Sequence, residues 1–148
     1  RYVKFKDIKE KVKKIKINNN IKQHLDLIAG LPGENFQSFK KSFNEVYSLQ
    51  PEEIQMGFLK LLKGSPMREE AKKWNMVYSP YAPYEILRTS DISYDEIMVL
   101  KKIEHMVDKY YNSGKFINII EYFICKFDQP FDFYHHLAMF FHSKGYNK

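Results

Sequence analysis

The sequence predicts an α/β fold: a parallel βαβ unit followed by a mostly α-helical segment. Three observations lead there. Residues 21–29 and 53–62 are short runs rich in apolar residues, closed by Gly30-Leu31-Pro32-Gly33 and by Lys63-Gly64-Ser65-Pro66. Between them, Phe36, Phe39, Phe43, Val46 and Tyr47 recur on one helical stripe. After Pro66 the strand pattern stops, so residues 1–65 and 66–148 read as two units.

The elements follow in order. Residues 4–17 read as an amphipathic helix, with Phe5, Ile8, Val12 and Ile15 at helical spacing and lysines on the outer face. Asn18-Asn19-Asn20 favours turn conformations and ends it. The strand at 21–29 contains Ile21, Leu25, Leu27 and Ile28, with one acid, Asp26, inside the apolar run. A buried carboxylate without a partner is costly, so Asp26 calls for a reason. The helix over 36–49 stops before Pro51, since the residue preceding a proline disfavours helix. The helix–strand–helix–strand order implies parallel strands with a crossover.

Residues 66–75 read as a short helix. Residues 76–92, with Pro80, Pro83 and several tyrosines, read as irregular. Ser93 with Glu96 is a capping-box pair that starts a helix running to about Tyr111, stopped by Asn112-Ser113-Gly114. Two more helices are expected over 116–127 and 130–144.

Composition narrows the class. The 148 residues carry 44% hydrophobic and 16% aromatic residues, which argues for a packed core. No apolar run reaches membrane-span length, so no membrane partner is expected. The chain starts at Arg1 rather than methionine, which fits a piece of a longer protein. One cysteine, Cys125, excludes an internal disulfide and a cysteine-ligated zinc site, and a cytoplasmic location is expected. Of the net charge of +6, residues 1–22 carry +7, with nine Lys/Arg against Asp7 and Glu10, and the remaining residues sum to −1. With only three arginines in the chain, this reads as a solvated helix face rather than a nucleic-acid surface.

The wording Asp26-Leu27-Ile28-Ala29-Gly30-Leu31-Pro32-Gly33-Glu34 resembles the fifth strand of the radical S-adenosylmethionine (SAM) enzyme barrel. Leu59 to Pro66 is similar to that family's L-x-L-L-x-G-[ST]-P strand end. Residues 67–148, with Ala82-Pro83-Tyr84-Glu85-Ile86-Leu87 and Tyr110-Tyr111-Asn112-Ser113, resemble the uncharacterised helical domain that follows the barrel in cobalamin-binding members. Many relatives of that type carry the label anaerobic magnesium-protoporphyrin monomethyl ester cyclase, an analogy that says little about substrate.

The resemblance implies a C-terminal fragment: residues 1–65 as the closing βα units of a radical SAM partial barrel, and 66–148 as a helical cap near the substrate mouth. It implies an iron–sulfur enzyme that uses SAM and a 4Fe–4S cluster, with cobalamin in some members. In them a reduced cluster cleaves SAM to a deoxyadenosyl radical or supports methyl transfer. The cluster loop, Cys-x3-Cys-x2-Cys, is missing here, so the fragment alone is expected to be inactive and to hold no cofactor tightly. Partners implied are the rest of the parent chain and a small-molecule substrate. The uncovered strand edge at 21–29 suggests self-association or a helix laid over it.

Five positions carry over by resemblance. Asp26 matches the acid that contacts SAM, where a carboxylate accepts from ribose hydroxyls or pairs with the methionyl ammonium. Strand alternation puts His24, Asp26 and Ile28 on one face, with Ile28 against the adenine. Gly30 belongs to the same turn. Arg1, twenty-five residues before Asp26, matches a SAM-contacting arginine. Lys60 matches a position whose main chain meets the adenine.

Simpler readings stand beside these. Asp26 is alternatively a structural acid paired with a lysine, Gly30 and Gly33 are turn glycines, and Glu34 suits any helix N-terminus. His135, His136 and His142 read as ordinary histidines rather than metal ligands, and Cys125 as a buried core residue. The tyrosines at 78, 81, 84, 94, 110 and 111 read as core rather than pocket lining. Two other classes remain open: a non-catalytic interaction module, and an RNA-binding accessory domain using the lysine-rich helix.

Overall fold

The computed structural model describes residues 5–17 and 20–146. Helix α1 (Phe5–Ile17) turns its lysines other than Lys16 outward and sinks Val12. The chain end that contains Arg1 lies outside the described residues. Gln23 ties α1 to the sheet: its amide donates to the Val12 carbonyl at 2.9 Å. Lys16 at the end of α1 donates to the carbonyl of Leu49 at 2.9 Å and also to that of Gln50. Both carbonyls follow the helix of the crossover, where a cation is favourable.

Strand β1 (His24–Ala29), helix α2 (Phe36–Tyr47) and strand β2 (Glu53–Phe58) form the expected unit, with β1 and β2 parallel and His24 opposite Glu53. Strand β1 starts three residues later than the apolar run suggests. Asn35 opens α2 through a reciprocal cap: its side chain accepts from the Ser38 N–H, and the Ser38 hydroxyl accepts from the Asn35 N–H, both at 2.9 Å. Phe39, Phe43 and Val46 form the buried stripe of α2.

The short helix after Pro66 is α3 (Pro66–Glu69), continued by a 3-10 turn over Glu70–Lys72. Residues 76–92 depart from expectation. They form an antiparallel hairpin, β3 (Val77–Tyr78) with β4 (Ile86–Arg88). The hairpin is built on contacts distant in sequence. Leu61 N–H donates to the Tyr84 carbonyl at 2.9 Å, and Ile86 N–H donates to the Leu59 carbonyl at 2.8 Å. Arg68 holds it from outside, its guanidinium 5.1 Å from the Tyr78 ring centre and 4.9 Å from that of Tyr84.

Helix α4 (Tyr94–Met106) starts at the Ser93–Glu96 capping box and passes into a π-helical stretch, Val107–Asn112. Helices α5 (Ile117–Ile124) and α6 (Pro130–Ser143) follow. One continuous core joins both halves of the chain. Phe131 of α6 meets Phe36 and Phe43 of α2 edge-on, each with ring centres 5.6 Å apart. Lys40 pairs with Asp132 at 2.6 Å across the same seam.

Two expectations about side chains are corrected. Cys125 is exposed, not core: α5 buries Ile120 while Ile117, Ile119, Tyr122 and Phe123 remain exposed. The tyrosines do not behave as one set, since Tyr81 and Tyr94 are exposed while Tyr78, Tyr84, Tyr110 and Tyr111 are half-buried. Among the described residues no helix is long and apolar enough to cross a membrane.

Candidate functional site

Alternation along β1 turns Leu25, Leu27 and Ala29 toward the core and leaves His24, Asp26 and Ile28 on an open face. Glu53, Gln55 and Gly57 of β2 lie opposite them in register. The sheet therefore presents one polar and partly apolar face next to the Gly-Leu-Pro-Gly turn.

His24 organises the polar part. Its Nδ1 lies 2.9 Å from the Glu53 carboxylate, and its Nε2 lies 2.9 Å from Asp26 and 3.0 Å from the Gln55 side-chain oxygen. Both ring nitrogens thus face acceptors, which favours the doubly protonated ring. Partial burial alone would lower the imidazole pKa. The Gln55 hydrogen bond and the Asp26 and Glu53 carboxylates together outweigh it and raise the value above 6.5.

Asp26 is therefore not a buried acid. Its side chain is 66% exposed and its partner is His24 rather than a lysine. The need for a burial rationale disappears, because the acid sits on the solvent face of a half-buried strand. Ile28, two residues on, is 47% exposed, an apolar surface beside the polar cage.

The turn after β1 is fixed from the second half of the chain. Gly30 (φ +87°) lies against Ile86 of β4, and Gly33 (φ +76°) donates its N–H to Asp91 at 3.1 Å. Packing thus supplies its own reason for glycine at position 30. Glu34 is half-buried, and burial raises its carboxyl pKa; its Oε2 has no hydrogen-bond partner among the described residues. Lys60 forms a non-hydrogen-bonded antiparallel pair with Glu85, bracketed by the Leu61–Tyr84 and Ile86–Leu59 bonds. Its own N–H and C=O consequently point away from the hairpin.

A cleft of about 560 Å3 opens at the other end of this face. His24, Glu53 and Gln55 line it from the sheet, and Glu104, Asp108, Asn112 and Ser113 from α4 and the π-helical stretch. Burial, reinforced by the Asp108 charge, raises the Glu104 carboxyl pKa. Sequence reasoning singled out neither Glu53 nor Gln55. Their period-two spacing on β2 is the signal that places them beside His24. The other wall has no local signature.

The histidines of α6 lie elsewhere. His135 stacks near Phe36 and Phe131, with ring centres 6.2 and 6.3 Å away, and burial and His136 lower its pKa. His136 Nδ1 is 2.8 Å from the Asp132 carbonyl. Among the described residues no group of three His, Cys, Asp or Glu side chains is placed to hold a metal ion.

Residues 72–148, just over half of the chain, match the model of a family described as protein of unknown function, DUF4080. The chain belongs to the DUF4080 family. No curated protein matches it. The DUF4080 segment contains the hairpin, α4, α5 and α6, so Asp91, which holds the Gly33 turn, and Asn112, which lines the cleft, both come from it.

Proposed function

We propose that this chain forms part of a radical SAM enzyme, with the open face of β1 and β2 as a section of the SAM-binding wall and the DUF4080 helices as a cap near the substrate. The observation that carries it is the placement of Asp26 and Ile28 side by side on an exposed sheet face that ends in the Gly-Leu-Pro-Gly-Glu turn. The association of DUF4080 with radical SAM and cobalamin-binding proteins supports the same reading.

The residues fit SAM by chemistry. Asp26 offers a solvent-facing carboxylate for ribose hydroxyls or the methionyl ammonium. Ile28 offers apolar surface for a purine face, and the outward main chain of Lys60 offers a donor and an acceptor for a purine edge. Gly30 supports the wall through its contact with Ile86. Bound SAM would supply the radical or methyl chemistry; these residues would orient it and limit water around it. The residues do not fit a 4Fe–4S cluster, because Cys125 is the single cysteine and its thiol lies against the Tyr122 carbonyl at 3.1 Å. Cluster ligands would come from outside these residues, and no set of residues here is assigned to cobalamin. The substrate is a small molecule, and the fragment by itself is inactive.

The test is the reading frame upstream of Arg1 together with the iron content of its anaerobically purified product. A Cys-x3-Cys-x2-Cys loop within barrel-like βα units, and a product carrying four irons, are expected. An open frame without those cysteines would leave a non-catalytic interaction module, for which the exposed apolar side chains of α5 are the favouring observation.

A further inference from the structure

We propose that Asn112 is a positioning residue: its carboxamide stands in for a third strand at the outer edge of β2 and so holds Glu53 and Gln55 where they cage His24. The inference rests on reading the open face as a ligand wall.

The ladder geometry sets the problem. Glu53 N–H donates to the Gln23 carbonyl and Leu59 N–H to the Ala29 carbonyl, so the odd-numbered residues of β2 turn their main chain toward β1. Ile54 turns both its N–H and its C=O the other way, toward the cleft. In a wider sheet a neighbouring strand would satisfy them. Here the Asn112 side chain does. Its oxygen accepts from the Ile54 N–H at 2.9 Å and its amide donates to the Ile54 carbonyl at 3.1 Å. A carboxamide presents an N–H donor and a C=O acceptor side by side, as a strand residue does, so a single side chain closes that position of the edge.

The π-helical stretch brings this about. Tyr111, the preceding residue, donates its hydroxyl to the Pro51 carbonyl at the entrance to β2. Consecutive side chains thus grip the strand three residues apart, from a π-helical stretch of the rare kind that occurs inside α-helices, frequently at functional sites. The competing acceptor, Asp108, stands 3.5 Å from the Asn112 amide, the limit of a hydrogen bond.

The consequence reaches the other face of the strand. Glu53 and Gln55 flank Ile54 and project onto the open side, where they lie 2.9 and 3.0 Å from the His24 ring. With Ile54 held by Asn112 on the outer edge and its odd-numbered neighbours held by β1 on the inner one, this part of β2 cannot rotate away without breaking the pair to Asn112. The groups facing His24 are Asp26, Glu53 and Gln55, with Glu104 and Asp108 lining the same cleft from the helical side.

Amide hydrogen exchange and histidine titration by NMR on the 148-residue chain, without SAM, test this for the wild type and Asn112→Leu. In the wild type the Ile54 amide is expected to exchange as slowly as those of Gln55 and Gly57. In Asn112→Leu it should exchange about tenfold faster relative to Gln55, with the His24 midpoint falling toward the ordinary imidazole value. Continued protection of Ile54 in the variant, or an unchanged His24 midpoint with Ile54 deprotected, would overturn the proposal. Fast exchange at Ile54 in the wild type would overturn it without any variant. Neither readout involves SAM, so failure here and failure of SAM binding are separate results.

Discussion

Gly30 and Ile86 leave no room for a side chain between them: a Cβ at residue 30 would stand 2.7 Å from Cγ2 of Ile86. Ile86 is fully buried, and residue 30 has φ +87°, where an L side chain is strained. Gly30→Ala is therefore expected to cost on the order of 2–3 kcal/mol in urea unfolding, from overpacking and backbone strain together. Ile86→Ala is itself destabilising by cavity formation, so the relief is read from a double-mutant cycle. Gly30→Ala should cost less in the Ile86→Ala background than in the wild type, but still something, since the φ strain persists. A neutral Gly30→Ala would show that the turn does not dock on β4.

Asn44 caps a helix other than its own. Its side-chain oxygen accepts from the Phe131 N–H at 2.9 Å, and its amide donates to the Gln129 side chain at 2.8 Å. Gln129, at the N-cap of α6, makes no side-chain cap bond itself. Asn44→Ala should lower stability by roughly 1–2 kcal/mol, as loss of a cap does. Thermal melts of the variant with and without Asp132→Ala would show coupling if the Lys40–Asp132 pair belongs to the same seam.

His24 gives the fold a pH dependence of defined sign. Its folded pKa lies above the ordinary value of 6.5. The stability it contributes is then complete below about pH 6.5 and fades as pH rises through the folded value. Urea midpoints of the wild type and His24→Gln should differ most between about pH 5 and 6 and converge on going to about pH 9. A difference that grows with rising pH would contradict the Asp26–His24–Glu53 arrangement.

The outer edge of β1 is open. His24, Asp26 and Ile28 turn their main chain away from β2, and among the described residues nothing bonds to them there. Unpaired edges recruit other strands. Light scattering after gel filtration should reveal concentration-dependent self-association, reduced by Ile28→Lys on the adjoining exposed surface. A chain that stays monomeric across the range would show that the edge is protected.

How much of this was legible in the sequence depended on how local each cause was. The βαβ unit could be read because period-two alternation, a helical phenylalanine stripe and Gly/Pro turns all lie within a few residues of the elements they define. The Ser93–Glu96 box marked α4 for the same reason. The β3–β4 hairpin could not be read, because it is held by bonds to Leu59 and Leu61 and by Arg68 lying over Tyr78 and Tyr84. In sequence alone the prolines and tyrosines of that stretch look irregular. The apolar neighbours of Asp26 suggest burial, whereas strand alternation places it with His24 on the open side. Asn112 reads as part of a helix stop and of the Tyr110–Ser113 wording that resembles the helical domain; its bond to Ile54, 58 residues away, has no local trace.

The most direct test of the open face as a SAM-binding wall is an NMR titration of the chain with SAM, comparing wild type with Asp26→Asn. Weak binding is expected, with the largest shifts at Asp26, Ile28 and the Lys60 amide, and with those shifts diminished in the variant. Shifts confined to other surfaces, or none at millimolar SAM, would contradict the assignment of this face.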